Sequence, residues 1–124
     1  MIGYVTLGTN DLARAAKFYD ALLAELGGKR TLESDNFVSW SAGANSPGLG
    51  VIKPFDGKAA MPGNGAMVAL AVDSQEKVKA LFDKAMKLGA TDEGGPGLRW
   101  GTFYAAYFRD LDGNKLCAFH APGM

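Results

Sequence analysis

The chain has 124 residues, 48% of them hydrophobic and 21% charged, with 13 Lys and Arg against 13 Asp and Glu. That balance is the profile of an ordinary globular domain and leaves no electrostatic footprint for nucleic acid or an anionic membrane. The longest uncharged runs, such as residues 36–52, are broken by Gly, Pro, Ser and Asn, so no stretch reads as membrane-spanning. The N-terminus lacks the basic and apolar regions of a secretory signal, and the lone Cys117 excludes an internal disulfide, so the expected compartment is the cytoplasm. Seventeen glycines, about twice the usual share, call for an explanation in turns.

Residues 3–7 read as a strand. From Asn10 to Leu26 the apolar positions Leu12, Ala15, Ala16, Tyr19, Leu22, Leu23 and Leu26 recur at helical spacing. Asn10 or Thr9 is expected to cap this helix, and Gly27-Gly28 to end it. Strands follow at 29–33, 36–41 and 49–55, with a turn near Ser34-Asp35, and then a stretch of Asp-Gly, Met-Pro-Gly and Asn-Gly punctuation.

The pattern then starts again. Ala66 to Val72 reads as a strand, and Asp73 with Glu76 suggests a capping box. Val78, Leu81, Phe82, Ala85, Met86 and Leu88 form a helical stripe that Gly89 ends. Gly94-Gly-Pro-Gly97 reads as a loop before strands at 102–109 and 114–120, which join through a tight turn at Asp112-Gly113. Tyr4-Val-Thr-Leu aligns with Met67-Val-Ala-Leu, and Tyr19 falls on Phe82. The expected organisation is therefore a single domain, 1–124, of two βαβββ modules: module one at 1–56, a linker at 57–64 and module two at 65–124.

The segment from Asp110 to Asn114 superficially suggests a calcium loop, but Lys115 and Ala121 stand where the sharp-turn Gly and the bidentate Glu belong. Gly48-Leu-Gly50 has no helix after it to receive a phosphate, which excludes a dinucleotide fingerprint.

The duplicated βαβββ chain, opening with Tyr4-Val-Thr-Leu-Gly-Thr-Asn-Asp-Leu-Ala-Arg-Ala-Ala-Lys-Phe-Tyr-Asp20 and closing with Phe108-Arg-Asp-Leu-Asp-Gly-Asn-Lys-Leu116, resembles the glyoxalase/bleomycin-resistance/dioxygenase superfamily, the vicinal oxygen chelate fold. The resemblance implies an α+β protein, its tandem modules forming a curved mixed sheet, read as eight-stranded, with a central cleft and the helices on the outer face. It also implies a homodimer. Metal-using relatives place ligands on the first and last strand of each module. Here the His or Gln position of the first strand is Tyr4 and its repeat partner is Met67, while the Glu position of the last strand falls on Cys117 in module two and on Val51 in module one. None of these suits a hard or borderline divalent ion, and the single His120 excludes a two-His triad within one chain. No metal or other cofactor is therefore expected.

The expected ligand-binding residues are Tyr4, Phe37, Trp40, Met67, Arg99, Trp100, Tyr104 and Cys117. Aromatic rings and an adaptable Met suit a partly aromatic or apolar small molecule, and an Arg beside an aromatic residue clamps an anionic or planar one. For Trp40 and Phe37, core packing is an equal alternative. Cys117 and His120, three apart on a strand, should face opposite ways and form no dyad. The leading reading is metal-free small-molecule binding. The rival is a metal-dependent lyase, isomerase or dioxygenase with an atypical or dimer-completed site, so whether the chain is an enzyme stays open.

Overall fold

The computed structural model describes residues 1–123. Its elements run β1 (Tyr4–Gly8), α1 (Leu12–Ala24), β2 (Lys29–Glu33), β3 (Phe37–Ser41), β4 (Gly48–Ile52), β5 (Val68–Ala71), α2 (Gln75–Lys87), β6 (Thr91–Trp100), β7 (Phe103–Arg109) and β8 (Lys115–His120). Each half is thus βαβββ. The eight strands form two four-stranded mixed sheets, ordered β1-β4-β3-β2 and β5-β8-β7-β6, instead of one continuous sheet. The chain divides into two compact units, Met1–Pro62 and one that begins at Gly63. No described helix is long and apolar enough to cross a membrane.

In the first unit, helix α1 covers one face of its sheet. Val38 and Trp40 on β3 pair with Val51 and Leu49 on β4, so all four point the same way, and all are buried with Ala15, Ala16, Phe18, Tyr19, Leu22 and Leu23 of the helix. Tyr19 packs against Trp40 with ring centroids 5.8 Å apart. The second unit repeats this arrangement. Phe82 of α2 meets Phe108 of β7 at 6.5 Å, above Leu116 and Ala118 of β8.

Both helices end alike. Gly27 at φ 75° donates to the Ala24 carbonyl while Gly28 reaches back to Leu23; Gly89 at φ 96° donates to Met86 while Ala90 reaches back to Ala85. Only a residue at ease in the left-handed region closes a helix this way, which explains a glycine at each stop.

Three local expectations are corrected. Asp11, not Asn10 or Thr9, caps α1 by accepting from the Arg14 N–H. Thr9 instead supports the cap: its hydroxyl accepts from the Asp11 N–H, and the Asn10 side chain is bonded to the Ala60 backbone. Ser74 caps α2, and Asp73 pairs with Lys77. The glycine-rich stretch at 94–97 is part of the ten-residue strand β6, whose pairing with β7 is broken by three register shifts, so a segment that reads as a loop is a bulged strand. At the β7-β8 turn the Asp110 carboxylate accepts from the backbone of Asp112 and Asn114 and from the Asn114 side chain, which makes it a turn fastener.

Candidate functional site

Because side chains alternate along a strand, each sheet has a second face turned away from its helix. In the first unit, the register puts Tyr4 and Thr6 of β1, Phe37, Ser39 and Ser41 of β3, and Gly48, Gly50 and Ile52 of β4 on that open face. A groove of about 1030 Å³ runs over it, walled by Tyr4, Leu32, Phe37 and Ile52, with Lys29 at its rim and the Thr31, Ser39 and Ser41 hydroxyls along it. The Thr31 and Ser39 hydroxyls bond each other at 2.7 Å, and Ser41 is tied to the Gly43 and Ser46 carbonyls. The volume is at the upper end for small-molecule sites, and apolar walls with a few polar groups are their usual lining.

Trp40 takes no part in this groove. It is 2% exposed on the helix-covered face, and its indole N–H donates to Asp20 at 2.8 Å. Asp20 also accepts two hydrogen bonds from Arg30, which hold its carboxyl below the usual range against the opposing effect of burial, with the Trp40 bond helping. Trp40 is therefore core. The repeat carries the signal for this: its pairing partner Leu49 corresponds to Leu116, and so Trp40 corresponds to the core residue Phe108. Phe37, by contrast, lines the groove.

In the second unit Tyr104 is likewise on the helix side, buried, with Lys79 of α2 over its ring at 6.0 Å; it too is core. His120 pairs with Tyr104 on that side, and its Nδ1 lies 3.1 Å from the Val72 carbonyl. Cys117 pairs with Tyr107 on the opposite face, so Cys117 and His120 form no dyad. Burial pushes the Cys117 thiol up to about 11, despite the opposing pull of the Tyr107 hydroxyl, Arg99 and Lys115. At neutral pH it is a protonated, inert group.

The open face of the second unit brings together Arg99, Tyr107, Lys115 and Cys117, with Trp100, Phe103 and Phe119 toward the β6-β7 turn. The register shift between Leu98 and Trp100 turns two consecutive side chains, Arg99 and Trp100, onto this one face. Met67, just before β5, is half-exposed. Tyr107, Lys115, Phe103 and Phe119 are additions to the residues expected from sequence. The aromatic load of 102–108 pointed to this strand, but only the pairing register says which alternate residues face outward.

The register also replaces one expected metal-ligand position. In the second unit Cys117 pairs with Ala69, two residues after Met67; in the first, Thr6, two residues after Tyr4, pairs with Gly50. The counterpart of Cys117 is thus Gly50 and not Val51, which is 1% exposed beneath α1. Gly50 has no side chain to offer, and the space is taken: a Cβ there would lie 2.5 Å from Phe37 Cε1. The four positions are therefore Tyr4, Gly50, Met67 and Cys117, a phenol, a hydrogen, a thioether and a neutral thiol. This donor set does not fit a hard or borderline divalent ion, and among the described residues no three His, Cys, Asp or Glu converge.

The sequence profile of the Glyoxalase/Bleomycin resistance protein/Dioxygenase superfamily matches residues 1–118. A glyoxalase/bleomycin resistance protein from Albidiferax ferrireducens is similar over 98% of this chain and 99% of its own, with 36% identity and a TM-score of 0.90. A putative glyoxalase from Bacillus halodurans (22% identity, 98% and 96% covered, TM-score 0.76) and a lactoylglutathione lyase from Agrobacterium tumefaciens (20% identity, 100% and 97% covered, TM-score 0.72) share the fold. No curated protein matches the chain. The paired βαβββ units, the Asp110-to-Asn114 turn and the profile match agree that the chain belongs to the glyoxalase/bleomycin resistance protein/dioxygenase superfamily.

Proposed function

We propose that the protein binds a small, partly aromatic or apolar organic molecule without a metal. The observation that carries this reading is the donor set: where metal-using relatives hold His and carboxylate groups, this chain has Tyr4, Gly50, Met67 and Cys117, with the Phe37 ring packed against Gly50. The open groove of the first unit, with its apolar walls, supports the same reading. Binding would need no reacting group, and the thiol, the one candidate nucleophile in the set, is protonated at neutral pH. The protein is expected to work in the cytoplasm, as a homodimer.

The test is a ligand panel read by melting temperature, run once with EDTA and once with added Zn, Ni, Mn or Fe. At least one aromatic or apolar compound should raise the melting temperature equally in both arms, by an amount that grows with concentration. Stoichiometric uptake of metal, or stabilisation that appears only when metal is added, would overturn the reading, and so would a panel in which nothing binds.

A further inference from the structure

We propose that the open face of the second unit holds an anion site, formed by Arg99 and Lys115 beside the Tyr107 ring, that takes the carboxylate of a small aromatic acid whose ring stacks on Trp100. The proposal rests on the small-molecule reading above and names the ligand class.

Four observations carry it. The first is convergence of like charge. The Arg99 Cζ lies 5.3 Å from the Tyr107 ring centroid and the Lys115 Nζ lies 5.5 Å from it, so two cations gather on one ring. Each exposed contact with the ring contributes about 0.5–1 kcal/mol and leaves the cation's full charge available to an anion.

The second is the missing counter-charge. Among the described residues neither cation is within ion-pair distance of a carboxylate. The neighbouring acids on β6 are engaged elsewhere: Glu93 with Arg109 at 2.8 Å, and Asp92 with the Gly94 N–H. Cys117, beside both cations, is a neutral thiol and supplies no anion. A ligand carboxylate would complete the set.

The third is that Arg99 is seated. Its Nη2 donates to the Gly95 carbonyl at 2.6 Å, and its guanidinium lies across two glycines, where a Cβ at Gly94 or Gly97 would stand 3.3 or 3.0 Å from it. Nη2 has that acceptor; among the described residues Nε and Nη1 have none. An Arg held by the backbone with donors to spare is organised for a planar carboxylate before the ligand arrives.

The fourth is the platform beside it. The Trp100 ring is stacked on Phe103, 4.8 Å away and 1° from parallel, and Phe103 stacks on Phe119 at 5.4 Å. Trp100 is nevertheless 66% exposed. A rigid ring with its outer surface in solvent is suited to stacking with an aromatic group. Since Arg99 and Trp100 are consecutive residues on the same face, one small molecule can reach both.

The probe is phenylacetate, titrated into the whole protein and followed residue by residue in ¹H–¹⁵N spectra, with 2-phenylacetamide as its neutral counterpart. Saturable shifts are expected at 94–107 and 115–119. Arg99→Gln should weaken binding by about tenfold or more, as expected for losing a charge-assisted contact, and Lys115→Gln by several-fold. The amide should bind at least about tenfold more weakly than the acid. Both side chains sit on the sheet surface, and an unchanged spectral dispersion in each variant verifies the fold.

Absence of saturable shifts on this face, equal affinity for acid and amide, or wild-type affinity in both variants overturns the inference. If phenylacetate fails while another panel compound raises the melting temperature, the anion site falls and small-molecule binding stands. If nothing in the panel binds, the function itself falls.

Discussion

Trp40→Phe separates core from groove most sharply. The indole is 2% exposed, packed at a tilt against Tyr19 and bonded to Asp20 at 2.8 Å. Replacing it with phenyl removes roughly 40 Å³ from a packed site, and at about 24 cal/mol per Å³ that costs about 1 kcal/mol. The lost indole bond adds about 1 kcal/mol; a bond to a charged acceptor is worth more, but Asp20 is two-fifths exposed and water replaces the donor. The total of about 2 kcal/mol should lower the melting temperature by roughly 8 °C and shift the urea midpoint with little change in slope. Tyr4→Ala is the matched control. Tyr4 is 68% exposed on the open face, so stability should change by less than about 0.5 kcal/mol while the affinity of any groove ligand falls. Unfolding curves and ligand titrations on both variants decide the matter. If Trp40→Phe kept full stability but lost ligand, or Tyr4→Ala unfolded the chain without touching affinity, the assignment of the two faces would be wrong.

Further outcomes follow at three other positions. Cys117, buried and with its thiol pushed up to about 11, should react with iodoacetamide at pH 7.5 at least about a hundredfold more slowly in the folded protein than in urea, and equal rates would refute its burial. Because that thiol binds its proton more tightly when folded, its contribution to stability is complete below the ordinary thiol range and is lost between pH 9 and about 11; Cys117→Ala should flatten the alkaline decline measured by urea titration. The Asp20 carboxyl, held low chiefly by Arg30, acts with the opposite sign. Its contribution is present above the ordinary carboxylate range and disappears as pH falls through its lowered value, so Asp20→Asn should be less stable near neutrality and show a shallower acid transition. Gly97→Ala places a methyl 3.0 Å from Arg99 Nη1 without demanding a left-handed backbone, so it should weaken phenylacetate binding more than it lowers the melting temperature.

Much of this architecture is legible in the sequence because it is written twice. Helical spacing of apolar residues ending at Gly27 and at Gly89 locates both helices, and the strands before them follow from the Tyr4 and Met67 alignment. Two things are not legible, for physical reasons. Strand β6 hides because three register shifts and a Gly-Gly-Pro-Gly stretch erase the alternation that marks a strand. Face assignment hides because a slip of one residue reverses every side chain, so Val51 reads as well as Gly50 until the pairing with β1 and β3 fixes the register. For the same reason Trp40 and Tyr104, large aromatic residues on otherwise plausible strands, read as ligand contacts although each lies under a helix.

The register sets each position of the first unit against its counterpart in the second, and the two faces of the sheets behave differently. Facing the helices, Trp40 corresponds to Phe108, Leu49 to Leu116, Val51 to Ala118 and Tyr19 to Phe82; every pair stays apolar, as a core that must exclude water requires. On the open faces several positions differ in chemistry: Ser39 corresponds to Tyr107, Gly48 to Lys115, Gly50 to Cys117 and Tyr4 to Met67, whereas Ile52 and its counterpart Phe119 are both apolar. Packing keeps the first set alike, whereas solvent-facing strand positions tolerate many residues at little cost. The differences are also coherent. The first unit presents glycines and small hydroxyl side chains that open a groove; the second presents two cations and a ladder of rings. The helix-facing positions are thus held alike by packing, while the open faces, which packing does not constrain, carry different chemistry in the two units.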